Sequence, residues 1–163
     1  MKKTVSIFNR HIVCSVLCSF LSSVPIVLIP VAKGNEDNKV FAVMIPIIFW
    51  LGLAGEQFFI WRANFYRKKL QQTNGRYPKR IRGRPGVISF FMTPEGMAAD
   101  LLFLVSLIVF VVIALLHKGE SVLQFILIFC LILSFRLHCT FNGINYRYKK
   151  ILTEVGKRDV QHN

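Results

Sequence analysis

Four long apolar runs are the feature that most constrains how this chain can fold. They cover about residues 12–32, 40–61, 96–116 and 121–143. A helix crosses a hydrocarbon core of ~30 Å with about 20 residues at 1.5 Å each, and every run is about that long. Since 53% of the residues are hydrophobic, lipid suits this chain better than water. We therefore predict a single all-α membrane domain, a multi-pass bundle of four transmembrane helices.

The first run has an alternative interpretation as a secretory signal, because Lys2, Lys3 and Arg10 form a basic N-terminal region. Its apolar stretch is longer than the usual signal core and lacks an A-x-A cleavage site, so a membrane span is favoured. Pro25 and Pro30 lie in its outer half, where neighbouring helices can satisfy the carbonyls that each proline leaves free. We expect a kink there.

Helix-start signals mark the third and fourth spans. Thr93 can cap a helix, Pro94 suits its first position, and Glu95 suits its positive end. Residues 117–120 are a tight connection, and residues 121–124 have capping-box spacing. Spans three and four are therefore predicted to form an antiparallel hairpin.

Small side chains in the spans favour packing over chemistry. Gly52 and Gly55 give span two a bare surface where another helix can approach closely. The four cysteines form no C-x-x-C pair, so the sequence predicts neither a redox motif nor a metal site, and no cofactor. We expect these thiols to be packing residues. They are Cys14, Cys18, Cys130 and Cys139.

The distribution of charge predicts the orientation. Nine lysines and arginines and no acid lie between Arg62 and Arg84, so the positive-inside rule places the loop 62–95 in the cytoplasm. The other two connections carry as many acids as bases. Both termini, including the basic tail 146–163, then also face the cytoplasm. Four aromatic residues are expected at the inner interface, namely Trp61, Tyr66, Tyr146 and Tyr148.

The middle loop combines a basic block with an aromatic one. Span two is predicted to continue as a helix to Gln72, and a basic block then precedes the apolar residues 87–92, a pattern typical of a segment in the headgroup layer. The basic side chains either only set topology or bind anionic lipid or an acidic partner. Nucleic acid is disfavoured, because anionic lipid already accounts for the charge. These side chains are Arg76, Lys79, Arg80, Arg82 and Arg84.

Ionisable residues inside the spans are candidates for pairing or function, because each costs about 2.5–3.5 kcal/mol on insertion scales. Glu56, Asp100 and Arg136 fall at similar depth in the inner half, which predicts a Glu56–Arg136 or an Asp100–Arg136 pair. A polar stripe at i, i+4 and i+7 follows on span four and points away from Arg136. The predicted cluster consists of Glu56, Asp100, Arg136, His138, Asn142 and Asn145.

Two interpretations of this polar cluster stay open. A paired glutamate and arginine can hold the bundle together, while the histidine and asparagines end the helix at the interface. Alternatively, the cluster is a polar pocket, open to the cytoplasm, that binds a headgroup or takes up a proton at Glu56 or His138.

No motif identifies a reaction, since H-E-x-x-H and G-x-S-x-G are absent, and we predict that the chain is not an enzyme. A non-catalytic protein that binds a membrane partner or lipid is favoured. Its most concrete form is an immunity-type protein that protects a bacterial cytoplasmic membrane from a membrane-active toxin or bacteriocin. The alternative is a transporter, or an accessory subunit of a transport or export complex, that uses Glu56 and Arg136. Four spans are few for a single-chain carrier, although a homo-oligomer could build a path around Glu56.

Overall fold

The computed structural model is helical almost throughout the residues that it describes, which are 2–33, 39–73, 86–116 and 122–161. Four of its helices, α1 to α4, are long and apolar enough to cross a membrane, as predicted. A fifth helix and a short 3₁₀ turn complete the described chain. The elements are α1 Lys2–Lys33, α2 Lys39–Thr73, the 3₁₀ turn Gly86–Ile88, α3 Pro94–Leu116, α4 Val122–Phe141 and α5 Ile144–Gln161.

The two central helices of the bundle are α1 and α4. α1 packs against both α2 and α4, whereas α3 packs against α4, so the order across the bundle is α2, α1, α4, α3. Helix α3 buries only Gly96, Ala99, Asp100 and Ser106, and its leucines and valines are largely exposed. Such a surface suits lipid and not water.

The first two helices are longer than a bilayer requires. With 32 and 35 residues they measure about 50 Å at 1.5 Å per residue, against a hydrocarbon core of ~30 Å. Where α1 begins and α2 and α4 end, which we call the head end, α5 packs against α1 and α2 around a small apolar core. This core consists of Phe8, Ile12, Ala63, Leu70, Tyr148 and Leu152.

The segment predicted as a basic tail is therefore an amphipathic helix. Tyr148 and Leu152 lie one turn apart on its apolar face, and the ring of Tyr148 meets that of Phe8 edge to face at 6.0 Å. Tyr148 is fully buried. Its ring therefore packs against protein, because the surplus length of α1 supplies a surface to cover it.

The bounds of the helices differ from the predicted spans mainly at the head end. Helix α2 continues to Thr73, as predicted from the sequence that follows Arg62. Helix α4 ends at Phe141, not at residue 143, because Gly143 bonds back to the carbonyl of Thr140 at 3.2 Å and tightens the last turn. A Cβ at Gly143 would lie 2.7 Å from the carbonyl of Cys139, so this turn requires glycine.

The start of α3 follows the predicted signal. The hydroxyl of Thr93 accepts a hydrogen bond from the Gly96 amide at 3.0 Å, and Pro94 is the first helical residue. Residues 117–121, which include the start of the predicted capping box of span four, lie outside the described residues. Pro25 and Pro30 both lie inside the continuous helix α1.

The two glycines predicted to allow close packing lie at the contact between α1 and α2. A Cβ at Gly52 would be 2.5 Å from the Cβ of Ser22 and 2.6 Å from its backbone nitrogen, whereas one at Gly55 would meet the sulfur of Cys18 at 2.9 Å. Real side chains essentially never come that close, so α1 and α2 would have to separate to admit one at Gly52.

We expect Gly52→Val to destabilise the bundle by about 1–3 kcal/mol, the usual cost of overpacking. The measurement is the midpoint of thermal unfolding in detergent. Ala54→Val is the matched control, because Ala54 is exposed on the same helix. Equal midpoints for the two variants would contradict the close contact at Gly52.

Candidate functional site

Two polar clusters lie within the bundle, and the first is built around Glu56, whose side chain is buried. Arg136 donates a hydrogen bond to one oxygen of the Glu56 carboxylate, and the hydroxyl of Ser19 donates to the other at 2.8 Å. The guanidinium of Arg136 also donates to the hydroxyl of Ser22. Of the two predicted pairs, the structure contains Glu56–Arg136, which joins α2 and α4 across α1. We call these four residues the ion-pair cluster.

Sequence reasoning missed the serine face of α1. Ser15, Ser19, Ser22 and Ser23 are at most 2% exposed. The hydroxyls of Ser15, Ser22 and Ser23 donate to a carbonyl about one turn earlier in the helix, whereas that of Ser19 donates to Glu56. The signal was present, because these serines recur at i, i+4, i+7 and i+8 within an otherwise apolar run. Small polar residues in a span let helices approach closely and bond across the contact.

A cavity of about 400 Å³ lies beside the ion-pair cluster. It separates α2 from α4, and α1 contributes to its wall through Ile12 and Ser15. Most of its surface area is apolar, with Leu53 of α2 and Phe135 of α4 in the wall, and polar side chains such as Gln57 of α2 also line it. The charged side chains of the ion-pair cluster contribute to one part of the wall.

Asn145 lies at the head end of this cavity and not with the other residues of the predicted stripe. Its amide oxygen accepts a hydrogen bond from Arg67 at 3.0 Å, and the amide oxygen of Asn64 accepts another at 3.3 Å. Both asparagines line the cavity. The prediction that Asn145 continues the stripe is wrong, because i+7 spacing holds only along an unbroken helix and α4 ends at Phe141.

The second cluster contains Asp100, His138 and Asn142, which are at most 6% exposed. Nδ1 of His138 contacts one oxygen of the Asp100 carboxylate, and the amide of Asn142 donates to the other at 3.4 Å. Asp100 therefore pairs with His138 and not with Arg136, which excludes the second predicted pair. Nε2 of His138 lies 3.3 Å from the carbonyl oxygen of Val87. We call this trio the clamp.

The clamp fastens residues 86–93, which we call the clamped loop, to α3 and α4. The backbone amide of Phe91 donates to the Asp100 carboxylate at 2.9 Å, and that of Met92 donates to the Asn142 amide oxygen at 3.1 Å. Thr93 donates to the last carbonyl of α4 at 3.1 Å. Polar side chains in the spans thus satisfy the backbone of a returning segment.

No family model, curated protein or solved structure matches this chain. What the two clusters can do therefore follows from their own chemistry. The carboxylates of Glu56 and Asp100 are each held by a basic side chain and by a second polar donor. In both carboxylates, each of the two oxygens thus has a polar partner.

The predicted basic binding residues Arg76, Lys79, Arg80, Arg82 and Arg84 lie outside the described residues. The described head end carries further basic side chains on α2 and α5. Lys150 of α5 pairs with Glu95 of α3 at 2.7 Å. Burial, the nearby charge of Glu95 and a hydrogen bond with it raise the pKa of Tyr146 to about 12, so its hydroxyl stays neutral at physiological pH.

Proposed function

We propose that this chain is a non-catalytic integral membrane protein that acts by binding a membrane-embedded partner in the cavity between α2 and α4. The cavity itself carries this proposal. Its surface area is mostly apolar, it lies along helices apolar enough to span a bilayer, and polar side chains in its wall can orient an occupant. A ligand that enters the cavity from the membrane would therefore contact mainly apolar surface.

The proposed orientation places the head end in the cytoplasm. The structure gathers the start of α1, the end of α2 and α5 at that end, and the sequence of these segments is rich in lysine and arginine. The positive-inside rule favours the cytoplasm for such a concentration of charge. The cavity then lies in the inner half of the membrane.

The contacts of Glu56 support binding over transport. A carboxylate that carries protons or ions across a membrane has to exchange its partners. Glu56 is held by Arg136 and by Ser19, and Arg136 is held in turn by Ser22. These contacts tie three helices together, so opening the pair would loosen the bundle. An accessory role beside a transport complex is compatible with the same cavity.

The most concrete form of this proposal is an immunity-type protein. A toxin that acts on the membrane presents an apolar or amphipathic segment to the lipid, and a mostly apolar cavity between two spans offers a surface for such a segment. Occupying that segment would protect the cell without any reaction, and this agrees with a cavity whose carboxylate, Glu56, is already paired with Arg136.

Filling the cavity tests this proposal. A sensitive bacterium expressing the chain is challenged with a panel of membrane-active bacteriocins, including any encoded beside the gene, and loss of membrane potential is followed with a dye. We expect protection against a cognate toxin and its loss in Gln57→Trp, because Gln57 is exposed and lines the cavity. If the substitution weakens binding of the toxin by ~1.4 kcal/mol, about ten times as much of the chain would be needed for the same protection.

Phe58→Trp is the matched control. Phe58 is the next residue of α2 and is 52% exposed, but it does not line the cavity. This variant should protect as the native chain does. Equal protection by Gln57→Trp and Phe58→Trp would rule out the cavity as the binding site, and an absence of protection against every toxin would contradict the immunity role.

A further inference from the structure

We propose that the clamped loop is a membrane anchor whose apolar side chains lie at the boundary between headgroups and acyl chains of the cytoplasmic leaflet. The occupant of this surface is bilayer lipid. The proposal depends on the chain being in a membrane but not on the cavity between α2 and α4, since the clamped loop is a different surface.

The side chains of the clamped loop point outward. Five of them are between 43% and 59% exposed, although all are large and apolar. The polar side chain of Ser89, by contrast, is buried. This is the reverse of the pattern expected for a loop in water, where polar groups face the solvent. The exposed residues are Val87, Ile88, Phe90, Phe91 and Met92.

The backbone of the clamped loop is satisfied from within the protein. Two of its amides donate to Asp100 and Asn142, and the carbonyl of Val87 lies within hydrogen-bond reach of His138. A loop in water has no need of three buried polar residues for this purpose, because water can serve its backbone. A loop in the membrane boundary needs them, since lipid offers few partners and irregular backbone there must be satisfied by protein.

The conformation of Phe91 shows how firmly the clamped loop is held. Its φ is 54°, a left-handed value that is uncommon for a residue other than glycine. The amide of this same residue is the one that bonds to Asp100. The ring of Phe90 packs on the imidazole of His138, with centroids 4.6 Å apart. The clamp thus fixes two neighbouring phenylalanines at the surface while its side chains bond to the backbone polar groups of the loop.

The position of the clamped loop identifies lipid as the occupant. The loop leads directly into α3, whose exposed apolar face continues in Leu101, Leu104 and Val105. The sequence before it, residues 80–84, carries three arginines that suit lipid phosphates. A protein partner would need polar groups to set its register, whereas the exposed side chains of this loop offer none.

Depth-dependent fluorescence quenching tests the anchor. Trp50 and Trp61, both exposed and apolar, are replaced by phenylalanine, and Phe90→Trp supplies the single probe. The protein is reconstituted into vesicles whose lipids carry bromine near the headgroup end, in the middle, or near the end of the acyl chain. We expect blue-shifted emission and the largest loss of intensity with bromine near the headgroup end.

Two control probes calibrate the depth. Val109→Trp on the exposed face of α3 should be quenched best by deep bromines, and Thr153→Trp on the exposed face of α5 should be quenched by acrylamide in water. Ile88→Trp repeats the measurement at a second position of the clamped loop if Phe90→Trp disturbs the fold. Quenching by acrylamide alone would place the loop in water, and quenching by neither agent would place it against protein. Either result overturns the anchor and leaves the cavity experiment unaffected.

Discussion

Replacing Arg136 alone with glutamine will destabilise the bundle more than replacing Arg136 and Glu56 together. The single change leaves the Glu56 carboxylate buried without its cation, and breaking a buried ion pair in this way costs about 3–5 kcal/mol. The double change removes both charges, so the cost of burying either one disappears. Glu56→Gln should be destabilising as well, because it leaves the guanidinium without its carboxylate.

The measurement is a double-mutant cycle on thermal unfolding in detergent, with Arg136→Gln, Glu56→Gln and the double variant compared with the native chain. Glu95→Gln serves as the control, since the Glu95–Lys150 pair is partly exposed and such pairs contribute about 0–1 kcal/mol. Additive losses in the cycle would mean that Glu56 and Arg136 do not depend on one another, contrary to the structure. A double variant that matches the native chain would show that the pair is dispensable for stability.

The same variants separate a structural role from a binding role. Glu56→Gln with Arg136→Gln removes the charges from the wall of the cavity but leaves its apolar lining in place. If the folded double variant still protects against a cognate toxin, recognition depends on the shape of the cavity. Loss of protection with a native unfolding midpoint would instead assign recognition to the ion-pair cluster.

The helices and the depths of Glu56 and Arg136 could be predicted because each depends on a local property of the sequence. Run length alone identifies helices that can span a membrane, and the four predicted ones correspond to α1–α4. The depths of Glu56 and Arg136 follow from residue counts along helices of known rise. Depth alone does not show whether Asp100 or Glu56 pairs with Arg136. The order of the helices across the bundle decides between the two partners.

The features that could not be predicted depend on contacts between segments that are far apart in the sequence. Helix periodicity places Asn142 beside His138, but it does not reveal that the Asn142 amide oxygen accepts a hydrogen bond from the backbone of Met92, fifty residues earlier. Because α4 ends at Phe141, Asn145 lies beside Arg67 and accepts its hydrogen bond, a contact that no spacing rule predicts. Likewise, α5 is read from the sequence as a charged tail, since the surface that covers Tyr148 belongs to α1 and α2.

Asp100→Ala will release the clamped loop while α1 to α4 stay assembled. The substitution removes the acceptor for the Phe91 amide and for the Asn142 amide, and the contact that holds His138. Each buried polar group left without a partner costs about 1–3 kcal/mol, and this cost falls on the loop and the trio beneath it. Hydrogen exchange by mass spectrometry on the peptide covering residues 86–93 is the direct measurement, because exchange reports local opening.

Exchange in this peptide should rise at least tenfold, which corresponds to a loss of ~1.4 kcal/mol of protection. Gly96→Ala should have a similar effect by another route, since a Cβ there would collide with the side chain of Asn142. Met97→Ala, one residue further along α3 and exposed, should leave the exchange unchanged. If Asp100→Ala accelerates exchange in α1 and α2 as much as in residues 86–93, the clamp supports the whole bundle. If only the loop responds, the buried aspartate, histidine and asparagine are present to hold its apolar side chains at the surface, as a membrane anchor requires.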